Sequence, residues 1–289
     1  MKTKILAIIL LAFSLQPSAF VLRASTTIDA ANSFAWGANI GWLNCRGDTA
    51  NGAVVGEYVC AGYIYSANVG WINLGSGTPT NGIYYQNLST NDFGVNQDGL
   101  GNLRGYAWGA NIGWVNFEAT GAPAVDLYTG KLSGYAWSAN CGWISLSNAV
   151  AFVQSDSIQK GALAPDGLPI AWLMQNFGTT NVDANADSDH DGMSNLQEYL
   201  AGTDPNNASD CLRITTFHRG QAGDPSRIDM QWTAQPTRYY AVQQSSGLGG
   251  TNAWSDLVAF PWPGANNVAT DQTNPEELYR IRVFRPLTP

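Results

Sequence analysis

Histidine is nearly absent from this chain: 289 residues contain two, His190 and His218. A catalytic triad built on imidazole, or a histidine-rich metal centre, would have to use one of them. Charge is scarce too, at 12% of residues against about a quarter in an average globular protein. That excludes a charge-rich disordered chain and the polar-faced helices of a coiled coil. Basic residues are the minority, 14 Lys and Arg against 22 Asp and Glu. The positive footprint that phosphate binding needs is missing, so no nucleic-acid partner is expected. No Cys-x-x-Cys pair occurs, which argues against zinc. Beyond residue 24 no apolar run is long enough to span a bilayer, so no transmembrane segment is expected after signal cleavage.

What is present begins with an N-terminal address. Lys2 and Lys4 precede the apolar run Ile5–Leu15, and residues 1–24 read as a signal peptide cleaved near Ala24. The exported chain is then expected to be secreted or held at the cell surface. It keeps 11 basic residues against 22 acidic ones, because Lys2, Lys4 and Arg23 leave with the leader. All four cysteines, Cys45, Cys60, Cys141 and Cys211, lie in the exported part. An even count in an oxidising compartment suggests disulfides. Cys45–Cys60 is the expected pair, since both flank short strands that should be neighbours in a meander, and Cys141–Cys211 follows by default.

Internal repetition is the strongest pattern. Four segments align without gaps: Phe34–Trp42, Tyr63–Trp71, Tyr106–Trp114 and Tyr135–Trp143. The clearest reads Tyr-Ala-Trp-Gly-Ala-Asn-Ile-Gly-Trp. The closing tryptophans are 29, 43 and 29 residues apart, so the units form two pairs with a longer insertion between them. Each unit reads as strand, tight turn, strand. Asn39, Asn68, Asn111 and Asn140 fall in the turns, where asparagine tolerates positive φ. Gly41, Gly70, Gly113 and Gly142 suit a turn exit or bulge. With further short strands around them, residues 25–154 should form a repeat β-domain: a sandwich, a barrel or a propeller-like array.

The aromatics of these units have two readings. The heavier one is packing: a domain poor in long aliphatics needs large side chains for its core. The other is a sugar-stacking platform of Trp36, Trp42, Trp71, Trp108, Trp114, Trp137 and Trp143. Alternation places Trp on one face of the strands and Ile, Val, Leu or Phe on the other, so one face can be core and the other ligand surface. The ten charged residues of this region do not recur at a fixed place in the units, so no repeated acid pair for glycoside hydrolysis appears.

The most specific chemical signal is Asp187-Ser-Asp189-His-Asp191-Gly192-Met193-Ser-Asn195-Leu-Gln-Glu198. It fits the twelve-residue calcium loop D-x-D-x-D-G-x5-E throughout. Asp187, Asp189 and Asp191 offer oxygens on alternate residues. Gly192 permits the sharp turn. Met193 offers its backbone carbonyl, Asn195 acts directly or through water, and Glu198 closes the shell in bidentate fashion. Ca2+ is therefore the expected cofactor. Helical spacing over Leu168–Phe177 and Asn195–Ala201, stopped by Gly178 and Gly202, places the loop between helices in residues 155–210. A second loop register around Asp166 offers only that one ligand, so a single site is expected. Leu173–Gly178 and Asp187–Pro205 resemble the EF-hand or dockerin-like calcium module of bacterial secreted and surface proteins, also compared with thrombospondin type 3 repeats. The aromatic units resemble the Y-A-W-x-x-N-x-G-W repeats of bacterial secreted proteins.

Residues 211–289 show six strand-like runs, the last alternating Tyr279, Ile281 and Val283 against Arg280 and Arg282. They suggest a small immunoglobulin- or fibronectin-like β-sandwich. Arg280, Arg282 and Arg285 read as a solvated face. The fold class expected overall is mainly β. The expected function is a secreted or cell-surface calcium-binding structural or adhesion protein without catalytic activity. The alternative is a carbohydrate-binding module, with an extracellular polysaccharide or a cell-surface protein as partner. Exposure of the aromatic row would favour the second, and complete burial would count against it.

Overall fold

The computed structural model describes residues 26–221, 224–245, 254–259, 264–271 and 278–287. The expected leader, 1–24, lies outside them. The chain is mainly β, and its N-terminal part closes into an eight-stranded antiparallel barrel. Twelve strands come first: β1 (Ile28–Gly37), β2 (Gly41–Asn44), β3 (Ala61–Ser66), β4 (Gly70–Ser76), β5 (Val95–Gln97), β6 (Leu103–Gly109), β7 (Gly113–Phe117), β8 (Ala124–Val125), β9 (Leu132–Ser133), β10 (Tyr135–Ser138), β11 (Gly142–Ser145) and β12 (Val153–Ser155). Each aromatic unit is one hairpin: β1–β2, β3–β4, β6–β7 and β10–β11. The hairpins pair side by side, and β11 returns to β1 to close the ring.

Closure of eight strands leaves an interior only wide enough for side chains to fill. That interior is a layer of facing aliphatic residues: Ala35 opposite Leu43, Ile64 opposite Ile72, Ala107 opposite Val115 and Ala136 opposite Ile144, all buried. Ile40, Val69, Ile112 and Cys141 plug the turn end of the same core. The aromatics at alternate positions consequently point outward. This corrects the packing reading: the core of the barrel is aliphatic and the tryptophans are its exterior.

The turns are built differently from expectation as well. The four asparagines do not take positive φ; the following glycines do, at φ between 70 and 77°. Each asparagine side chain instead reaches the previous unit's turn. Asn68 Nδ2 donates to the Ile40 carbonyl (2.9 Å), Asn111 to Val69 (3.1 Å), Asn140 to Ile112 (3.0 Å) and Asn39 to Cys141 (3.1 Å).

Neither expected disulfide is formed. Cys45, Cys60, Cys141 and Cys211 are free and buried. Cys141 stands where the other units carry Ile or Val, so it acts as a small apolar plug. Burial pushes the Cys45 and Cys60 thiols up to about 12, which holds them neutral.

After the barrel come two short helices, α1 (Ile170–Phe177) and α2 (Asn195–Ala201), each ended by a left-handed glycine, Gly178 and Gly202. A capping box of Ser194 and Gln197 starts α2. Leu168, Trp172, Leu173, Ala184 and Tyr199 form a separate small core beneath the helices. Six further strands follow: β13 (Ile214–Gln221), β14 (Asp224–Trp232), β15 (Tyr239–Ser245), β16 (Ser255–Ala259), β17 (Asn267–Asp271) and β18 (Leu278–Phe284). They make two three-stranded sheets, β13-β14-β17 and β16-β15-β18. Met230 and Trp232 of one sheet share an apolar cluster with Tyr240, Val242, Ile281 and Val283 of the other.

Candidate functional site

Two features carry chemistry. The first is the barrel exterior. All seven repeat tryptophans are exposed, at 37–46% of their surface, and Phe34, Tyr63, Tyr65 and Tyr135 share the exposure. The register sets how they meet. Trp36 lies directly across from Trp42, Tyr65 from Trp71, Trp108 from Trp114 and Trp137 from Trp143. Ring centroids in these pairs are 4.6–5.0 Å apart, in edge or tilted contact. The ring two residues before the first member of each pair (Phe34, Tyr63, Tyr106 or Tyr135) also meets the closing tryptophan, at 6.0–6.2 Å. Edge-to-face and tilted packing fixes the rings, and each tryptophan still keeps more than a third of its surface exposed. Isolated exposed aromatics need no explanation; here they recur at the same place in all four hairpins.

Between the third and fourth hairpins the exterior deepens into a groove of about 280 Å³, lined by Asn116, Glu118, Thr120, Gly121, Trp137 and Trp143. Asn116 Oδ1 is buried there without a hydrogen-bond donor. Its position in the repeat, two residues after the closing tryptophan, was visible in the alignment, but its lack of a partner was not.

The second feature is the acidic loop. Carboxylate oxygens of Asp187, Asp189 and Asp191 lie within 4.8 Å of one another. The loop is tied by its own backbone: Asp187 accepts from the His190 and Gly192 N–H groups (2.7 and 3.0 Å), and Asp191 accepts from that of Met193 (2.7 Å). Gly192, at φ 98°, makes the turn. Glu198 on α2 is completely buried, and neither of its carboxylate oxygens has a partner; Asp189 Oδ2 and Asp191 Oδ2 are likewise bare. Desolvation, followed by repulsion from Asp189, Asp191 and Asp187, pushes Glu198 up to about 8. Buried bare carboxylates are costly without a compensating charge, so these residues fit a hard cation that takes oxygen ligands. Asn195 has a structural task. Its Oδ1 accepts from Ser188 (2.9 Å) and its Nδ2 donates to the Asp183 carbonyl (2.8 Å), closing the loop onto α2. The Met193 sulfur accepts from the Leu212 N–H (3.3 Å), so that side chain seats the segment entering the C-terminal strands. Asp166 accepts backbone N–H groups from Leu168 and Ala184.

A junction joins these parts that the sequence did not reveal. Glu57, from the barrel, accepts from the Tyr199 hydroxyl (2.9 Å) and pairs with Arg285 (2.8 Å). Arg238 donates to the Leu200 and Tyr199 carbonyls at the end of α2 (2.9 and 2.6 Å). Burial lowers the Arg238 pKa, and Glu57 opposes that shift. Arg285 is therefore buried beside Glu57, not on a solvated face. The one legible hint was a lone acid, Glu57, in the apolar stretch Val54–Val59. The other barrel acids are held separately. Asp92 accepts from Thr80 and Gln86, and Asp126 from Tyr128 and Thr129.

Comparison of the chain with protein-family models, with curated proteins and with solved structures finds no match. Among the described residues, no helix is long and apolar enough to cross a membrane.

Proposed function

We propose that this protein is an exported, non-catalytic carbohydrate-binding protein whose barrel presents aromatic faces to a polysaccharide, and whose acidic loop binds Ca2+. The observation that carries the reading is the exposure of all seven repeat tryptophans. Indole faces stack on the apolar C–H faces of pyranose rings, and a barrel exterior repeats that platform around its circumference. Calcium is supported by the twelve-residue spacing and by the bare, buried Glu198 carboxylate. Its proposed ligands are Asp187, Asp189, Asp191, the Met193 carbonyl and Glu198, with Asn195 holding the loop shut.

The cation has a structural role in this reading. Glu198 is followed directly by Tyr199 and Leu200, whose groups contact Glu57 of the barrel and Arg238 of the C-terminal module. Ordering Glu198 orders the residues that hold the three parts together. The resemblance to calcium modules and aromatic repeats of secreted proteins points the same way, as does the immunoglobulin- or fibronectin-like reading of the two C-terminal sheets.

The test is binding of the protein to a panel of glycans, first with millimolar calcium and then with EDTA. Saturable binding to a polysaccharide is expected with calcium. An absence of binding in both conditions would sink the carbohydrate reading and leave the structural or adhesive one, with a protein partner.

A further inference from the structure

The four seams between hairpins are built alike, and one of them differs in a way that points to a ligand. At each seam the residue two positions after a closing tryptophan lies directly opposite an aromatic or its counterpart in the next unit: Asn44 opposite Tyr65, Asn73 opposite Trp108, Asn116 opposite Trp137 and Ser145 opposite Trp36. At three seams the polar group is used internally. Asn44 Oδ1 accepts from the Arg46 N–H (2.9 Å), Asn73 Oδ1 accepts from the Gly75 N–H (2.8 Å), and Ser145 Oγ donates to the Ser147 carbonyl (2.8 Å). Only at the third seam does the buried oxygen, Asn116 Oδ1, accept nothing.

Local chain geometry explains the difference. After Phe117 the chain enters a 3-10 turn, Ala119–Gly121, ended by Ala122 in a left-handed conformation (φ 46°). No N–H is returned to Asn116. The turn walls the groove instead. Gly121 lies against the Tyr135 carbonyl so closely that a Cβ would sit 2.0 Å from that oxygen and 3.2 Å from the Trp143 ring. Only glycine permits this approach, so the groove is a consequence of a specific backbone contact.

The geometry points to this seam as the principal sugar subsite, taking one neutral pyranose residue of a polysaccharide; the inference rests on the carbohydrate reading above. The lining matches that class. Trp137 and Trp143 supply faces for the axial C–H groups of the ring. Asn116 Oδ1 and the Glu118 carboxylate are acceptors, and the Thr120 hydroxyl works either way. Hydroxyl donors on a neutral sugar satisfy all three. A uronic acid or a sulfated sugar would place an anion beside Glu118, on a chain already rich in acids.

The test measures affinity by tryptophan fluorescence for laminarihexaose, cellohexaose, mannohexaose and oligogalacturonate, using the full protein with calcium. Trp137→Ala and Asn116→Ala should each weaken binding of the preferred neutral hexasaccharide by about tenfold or more. Ser145→Ala, at the seam where the polar group is already used internally, should change it less than twofold. Trp137→Tyr keeps a ring and should retain most of the affinity, which separates ligand contact from loss of fold. Equal losses for Ser145→Ala and Asn116→Ala would overturn the subsite and leave carbohydrate binding standing. No sugar binding by the unmodified protein would overturn both. Displacement by tetramethylammonium, or a preference for oligogalacturonate, would overturn the ligand class.

Discussion

The Asn39 side chain donates to the Cys141 carbonyl at 3.1 Å across 102 residues of chain, tying the first aromatic hairpin to the fourth. Asn68, Asn111 and Asn140 make the same bond to the preceding turn, so the four bonds run round the end of the barrel in one direction. Three of them join hairpins adjacent in sequence. The Asn39 bond joins the ends of the barrel, where β1 meets β11 along only two residue pairs. Asn39→Ala should lower unfolding free energy by about 1 kcal/mol, the net worth of one such bond. The loss should appear in denaturant melts as a lower midpoint at unchanged slope; an unchanged midpoint would remove the bond from the account of closure.

Calcium should raise the stability of the protein. Extracellular loops of this kind bind on the order of 10⁻⁴ to 10⁻³ M, and calcium at 100 times its dissociation constant stabilises by about 2.7 kcal/mol. Glu198→Gln removes the buried charge that closes the shell and should abolish the calcium-dependent rise in melting temperature. A rise of the same size in that variant would show that Glu198 does not hold the ion.

Without calcium, stability should fall as pH rises from about 4.5 to about 8. Glu198 ionises near its ordinary pKa of 4.5 in the unfolded chain but is held up to about 8 in the fold. In that window the folded state binds the extra proton, so the slope of stability with pH is negative. Calcium replaces the proton, and binding at pH 6 should release about one proton per site. Calorimetry in buffers of different ionisation enthalpy reads this number directly. Zero release would mean that Glu198 is already ionised.

Glu57 should be a strong determinant of how the parts stay joined. It accepts from Tyr199 and pairs with buried Arg285, so Glu57→Ala leaves a buried guanidinium without that carboxylate. Breaking one side of a buried pair costs about 3–5 kcal/mol. Glu57→Gln keeps an acceptor for the Tyr199 hydroxyl and should cost less. Denaturation of the two variants, compared at the same calcium concentration, checks the order; equal costs would show that the lost charge sets the penalty and the acceptor for Tyr199 does not.

The cysteines should behave as buried thiols. Cys45 and Cys60, pushed up to about 12 by burial, should resist a thiol reagent at pH 8 until denaturant is added. A reducing agent should leave the melting temperature unchanged. A fall on reduction would restore the disulfides expected from cysteine count.

The repeat was legible because its physics is local. Two aromatics two residues apart share a face whatever the strand packs against, and a glycine at φ near 75° is required wherever the turn closes in this way. The acidic loop was legible for the same reason: alternate aspartates, Gly192 and Glu198 lie within twelve residues. The ends of both helices followed from Gly178 and Gly202. The junction was not legible. Glu57, Arg238 and Arg285 are far apart in sequence, and residue type alone does not distinguish the buried Arg285 from the exposed Arg282 three residues earlier.

By itself the sequence determined that tryptophans and aliphatics occupy opposite faces of each hairpin, since strand side chains alternate. It did not determine which face points inward. Only the tertiary structure decided that, through barrel closure. An eight-stranded interior has room for Ala35 beside Leu43 or Ala107 beside Val115, and no room for paired indoles, so the aromatics were left outside, exposed to solvent.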